Sequence, residues 1–197
     1  MKKTILMPVV SILLAGAVLL GLSYGLQGVA AANAQAEHLQ IMQTVLPDST
    51  TFTLEPYTGE DANIRSVHKA DNGFVIETVT YGYAGEITML IGVSKEGRVT
   101  GLVVRDMEET FGLGGTALTD HVFLSQFLNG SEFAVAGAEA DAFSSATGSA
   151  EVSDGATQID AISGATVTTK AIIRSVNSAV AYVTGADIES SATSWGG

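Results

Sequence analysis

Apolar residues are spaced in three ways along this chain: first an unbroken run, then strand-like alternation, then a helical stripe. After Lys2 and Lys3 no charged residue occurs before Glu37, and Ile5 to Leu22 is apolar almost throughout, broken by Pro8 and small or mildly polar residues such as Ser11. A helix crossing about 30 Å of hydrocarbon needs about 20 such residues, so residues 4–26 are expected to form a transmembrane anchor. Lys2 and Lys3 would keep residues 1–3 in the cytoplasm, with everything beyond the span exported. Ala32-Asn33-Ala34 also fits a signal-peptide cleavage site, although a signal h-region runs only about 7–15 residues. Both readings put the folded part outside the cytoplasm.

Beyond the run, Leu39, Ile41, Met42, Val45 and Leu46 recur at near-helical spacing until Pro47 stops them. Residues 27–72 thus read as a helical and loop connector, with little local signal from Asp48 to Ala70. Phe74 to Tyr83 alternates apolar and polar positions and is rich in β-branched and aromatic residues, as a half-buried strand should be. Ile87 to Val93 predicts a second strand, Lys95 to Arg98 a turn, and Val99 to Val104 a returning third, forming an antiparallel hairpin. Thr119 is placed to cap a short helix through Leu128, with Gly130 beyond its end. Residues 134–157 are rich in Ala, Ser, Gly and acid with no basic residue, and predict a long mobile insertion.

The last helix follows Thr166, where Ile172, Val176, Ala179 or Val180, and Val183 form one stripe and Arg174 and Asn177 are expected to face away. A polar tail, residues 186–197, closes the chain. The expected fold class is α+β: an antiparallel sheet with packed helices over residues 73–185, preceded by one N-terminal transmembrane helix.

Composition narrows the function classes. Of 197 residues 46% are hydrophobic, as in ordinary folded proteins, but 21 acidic residues face nine basic ones, for a net charge of −12. Such a surface repels phosphate backbones, and no basic stripe with interleaved aromatics offsets it, so nucleic acid is a poor partner. The absence of cysteine removes disulfides, thiolate metal sites and thiol nucleophiles. His38, His68 and His121 are scattered, and no metal site is expected. Nor is there a general acid–base pair or nucleophile triad that would indicate independent turnover.

Two segments carry candidate chemistry. Ser163-Gly164-Ala165-Thr166 opens the last helix, with Asp160 three residues before Ser163. Gly164 lets a backbone approach a ligand closely, while the first-turn N–H groups and the helix dipole favour an anion. The dipole contributes only about 0.3–1 kcal/mol at an exposed end, so it orients a phosphate without holding it tightly. A covalent link removes that difficulty, and Thr166 offers a hydroxyl for a phosphoester. The competing reading is a simple helix cap at Ser163 or Thr166. Thr168 either donates a hydroxyl near the phosphate or merely occupies the first turn. The second segment, Glu109-Thr110-Phe111-Gly112-Leu113-Gly114-Gly115, bends closely around a ligand or forms a flexible turn. Its Gly112-x-Gly114-x-x-Ala117 partly imitates a dinucleotide fingerprint, but it follows an antiparallel hairpin rather than the first strand of a βαβ unit.

Asp160-Ala161-Ile162-Ser163-Gly164-Ala165-Thr166 resembles the flavinylation motif of the FMN-binding domain family. Gly82-Tyr83-Ala84-Gly85-Glu86-Ile87 is similar to the start of a strand in that family, and Glu109 to Gly114 to its Glu-Thr-Pro-Gly-Leu-Gly loop, which lies against the flavin. Phe111 departs from the family's proline, and Met107 stands where a histidine is common. The resemblance spans about Gly73 to Val183. It implies that a flavin transferase, using FAD, esterifies an FMN phosphate to Thr166, with Ser163, Gly164, Ala165, Asp160, Thr168, Glu109, Thr110, Gly112, Leu113 and Gly114 around the cofactor. Asp160 would shape the turn or serve the transferase. It further implies an electron-transfer subunit of an Rnf-type complex in the cell membrane. Such a subunit works with other membrane subunits to couple electron flow between ferredoxin and NAD to Na⁺ or H⁺ transport. Two alternatives stand beside it: a free-standing exported FMN carrier, and an unmodified membrane-tethered binding domain.

Overall fold

The computed structural model describes residues 2–110, 112, 114–136 and 156–185, with the backbone alone for residues 2–13, 22–24 and 26–31. Phe111, Leu113, most of the expected insertion and the tail lie outside the described residues. The chain divides into two compact units, Met1–Gln40 and Ile41–Gly197. The first belongs to helix α1 (Lys2–Val45), whose last turn lies in the second unit. Among the described residues no helix is long and apolar enough to cross a membrane.

The second unit is built on five antiparallel strands in chain order: β1 (Phe52–Glu55), β2 (Ile64–Ala70), β3 (Gly73–Tyr81), β4 (Glu86–Ser94) and β5 (Val99–Met107). The three expected strands appear as β3, β4 and β5, slightly shifted or extended. β1 and β2 replace the loop expected over residues 48–70. A register shift between Ile64 and Ser66 interrupts the period-2 pattern of β2, so its apolar residues do not alternate cleanly.

Both sheet faces are covered. On one, Met42, Val45 and Leu46 pack on Ala70, Val75 and Leu90. On the other lies helix α4 (Thr166–Thr184), whose Ile172, Val176, Ala179 and Val180 meet Ile76, Ile87, Met89, Ile91 and Val93. Double coverage explains why β4 reads as a near-continuous apolar run rather than an alternation. Between α4 and the sheet runs a buried polar seam. The Thr80 hydroxyl lies 2.9 Å from that of Ser175 and 3.2 Å from the Ala171 carbonyl oxygen, and Asn63 Nδ2 donates to Ser178 Oγ at 3.1 Å. At the far end of α4, Tyr182 meets Tyr57 and Phe74 edge-on. Burial pushes both tyrosine hydroxyls above the ordinary phenol range.

Helices α2 (Gly114–Thr119) and α3 (His121–Ser125) replace the single helix expected from Thr119 to Leu128. Thr119 is not the cap. Its hydroxyl donates back to the Gly115 and Thr116 carbonyls inside α2, the local competition open to any short hydroxyl side chain. Asp120 caps α3 instead, accepting from Val122 N at 2.8 Å and Phe123 N at 3.3 Å. Two short parallel strands, β6 (Phe133–Val135) and β7 (Thr157–Ile159), occupy Ala134, Val135 and Thr157 at the edges of the expected insertion. Asn177, expected to face away, instead accepts from Phe133 N at 3.1 Å and donates to its carbonyl oxygen at 3.0 Å. This clamps β6 to α4.

Candidate functional site

Helix α4 starts at Thr166, and its N-cap position is Ala165, whose side chain can cap nothing. Neither Ser163 nor Thr166 holds the cap position, so the simple-cap reading is not the one the geometry supports. Gly164 bends the chain into the helix at φ 81°, a left-handed conformation that favours glycine. Ala165 N donates to the Ile162 carbonyl at 2.9 Å, closing the turn, and Thr169 N begins the helical ladder on the Ala165 carbonyl at 2.8 Å. The first-turn N–H groups ahead of that bond have no intrahelical acceptor. Ser163, Gly164 and Thr166 are exposed, while Ala165 and Thr168 are buried. Asp160 is also exposed. Its backbone N–H donates to Gln126 Oε1 at 2.9 Å, which ties β7 to the end of α3.

The three segments singled out in the sequence converge on one side chain. Glu109, half-buried just after β5, accepts from Tyr83 N at 2.7 Å and from Thr168 Oγ1 at 3.1 Å through the same oxygen, Oε1. Its Oε2 accepts from Thr110 N at 3.3 Å. Glycines make this possible. A Cβ on Gly82 would collide with Glu109 Oε1, and one on Gly114 would come within 2.5 Å of both Glu109 Oε2 and Thr168 Oγ1. No side chain fits at either place unless the carboxylate moves. Thr168 is thus directed at Glu109. Thr110 and Gly112 are exposed, with Gly112 at φ 83°, and Leu113 lies outside the described residues.

Residues 82–181, which run from the β3–β4 turn through most of α4, match the FMN-binding domain family. The chain belongs to that family. As an FMN-binding domain it is 31% identical over 156 residues to the G subunit of the ion-translocating oxidoreductase complex of Methanosarcina acetivorans, covering 73% of each chain. It is 35% identical over 109 residues to the G subunit of the Na(+)-translocating ferredoxin:NAD(+) oxidoreductase complex of Acetobacterium woodii, covering 55% of this chain and 47% of that one. Among solved structures, the crystal structure of Shewanella oneidensis NqrC matches at 19% identity and a TM-score of 0.43 over 73% of each chain.

The residues present fit the cofactor of this family. An uncapped helix N-terminus supplies donors for a phosphate, and the exposed Thr166 hydroxyl stands at its first position. The sequence alone located the start of the last helix at Thr166 and the tight turn at Gly164. It missed the inward role of Glu109 and the clamp at Asn177, because Tyr83 and Thr168 lie 26 and 59 residues from Glu109 and Phe133 lies 44 residues from Asn177.

Proposed function

We propose that this chain carries FMN as a phosphoester on Thr166 and serves as an electron-relay subunit of an Rnf-type membrane complex. The observation that carries this reading is the Thr166 hydroxyl: exposed, first in an uncapped helix, and last in Ser163-Gly164-Ala165-Thr166. Ser163, Gly164 and Ala165 shape the turn that leaves the first-turn N–H groups facing the phosphate. Asp160, at the exposed surface ahead of this turn, is placed to meet the flavin transferase that modifies Thr166. Thr110 and Gly112, which follow β5, and Gly114, at the start of α2, are proposed to border the cofactor, and Leu113 is proposed with them.

The flavin, when bound, supplies the redox chemistry, while the protein supplies attachment, orientation and electrostatic tuning. A covalent tether suits a domain outside the cytoplasm, where a dissociated cofactor is lost by dilution. The charge-free stretch from Thr4 to Leu26 is proposed as the anchor that keeps the exported domain at the membrane surface, within reach of the other subunits. The relatives' names include ion-translocating, Na(+)-translocating and proton-translocating complexes, with ferredoxin and NAD(+) in two of them. This chain is proposed to serve the same class of electron flow, coupled to Na⁺ or H⁺ transport.

The test is to produce the full chain in cells with and without a flavin transferase. The reading predicts a fluorescent band in denaturing gels only when the transferase is present, and none from Thr166→Ala. A band of equal intensity from Thr166→Ala would contradict attachment at this residue.

A further inference from the structure

We propose that Glu109 is a positioning residue that holds the first turn of α4 so that the Thr166 hydroxyl faces outward; it is not itself a ligand of the flavin. The proposal deepens the reading given above and rests on Thr166 being the attachment point.

An ionised carboxylate only accepts hydrogen bonds, and offers about four lone-pair sites. Protein donors fill three of those at Glu109: Tyr83 N from the β3–β4 turn, Thr168 Oγ1 from α4, and Thr110 N from its own loop. A carboxylate also repels a phosphate rather than binding it. What Glu109 can do is fix the rotation of the helix. Successive helical residues are about 100° apart, so Thr168 and Thr166 point about 200° apart. Drawing Thr168 inward, where it is 1% exposed, turns Thr166 outward to solvent. The carboxylate occupies the space that a Cβ at Gly82 or Gly114 would need. Glu109 thereby connects the β3–β4 turn, its own loop and α4 at one place.

Two measurements on full-length protein purified free of FMN test this. The first follows FMN attachment over time by intact mass, in the presence of FAD and a flavin transferase. The second is hydrogen exchange at Tyr83 N, which bonds Glu109 directly, and at Thr169 N, which makes the first ladder bond of α4.

Glu109→Ala is expected to speed exchange at both amides and to slow attachment about tenfold, the scale of losing one charge-assisted hydrogen bond. Glu109→Gln keeps an oxygen where Oε1 accepts from Tyr83 and Thr168, and is expected to restore most of both. Thr168→Val, which preserves the fold should Glu109→Ala not, is expected to speed exchange at Thr169 more than at Tyr83 and to slow attachment.

Slowed attachment in Glu109→Ala or Thr168→Val with wild-type exchange would overturn the proposal, because it would mean direct contact with flavin or transferase. Glu109→Gln behaving like Glu109→Ala would overturn it too, as would no change in any variant. If the wild-type chain takes up no FMN, the Thr166 reading fails, while the exchange measurement still judges the latch.

Discussion

At the scale of the residue, the site depends on which side chains face solvent and which are held. Thr166 is exposed and is not the cap. Thr166→Ala should therefore change stability by no more than about 0.5 kcal/mol while removing the proposed attachment point, which urea denaturation beside gel fluorescence will check. A melting midpoint shifted as far as that of a core variant would mean the hydroxyl has a structural role. Gly82 makes the opposite case. A Cβ there displaces the Glu109 carboxylate, so Gly82→Ala should cost about 1–3 kcal/mol by overcrowding and show the slowed FMN attachment expected of Glu109→Ala. Thr166 was legible in the sequence because a short contiguous motif and the helical stripe behind it carry the information. Glu109 was legible only through the glycine-rich segment and its resemblance to the family's loop, as a residue beside the cofactor. Two of its three donors come from positions 26 and 59 residues away, and no local pattern encodes such a meeting.

At the scale of the element, the same distinction between local and distant information separates what the chain announces from what it hides. Strands β3 to β5 and helix α4 follow from alternation and from a 3.6-residue stripe. β1 and β2 did not, because one is four residues long and the other is interrupted at its bulge. β6 and β7 are short, and each is held by tertiary contacts rather than by propensity. Asn177 shows this most clearly, since a polar residue on a helix reads as solvent-facing unless the strand beside it is known. Asn177→Ala removes two hydrogen bonds to Phe133 and should destabilise the domain by about 1–3 kcal/mol. Amide exchange at Phe133 would rise with it; unchanged exchange there would mean that packing around Phe127 and Phe133 alone holds β6.

At the scale of the whole molecule, a strongly acidic chain without cysteine contains an FMN-binding domain. The FMN-binding domain spans the sheet's β3–β4 turn, the loop after β5 and helix α4, and these are the parts that Glu109 ties together. The antiparallel sheet packed between α4 and the end of α1 matches the expected α+β class, while the anchor over residues 4–26 remains a proposal about the membrane. Its test is extraction of the full chain from its own cells. Release by detergent but not by high salt or carbonate supports an embedded segment, and release by carbonate counts against it. The central claim has a more direct test: mass spectrometry of the chain isolated from cells that contain a flavin transferase. The account predicts an added mass of FMN less one water, mapped by fragmentation to Thr166. A bare hydroxyl at that position in such protein would contradict it.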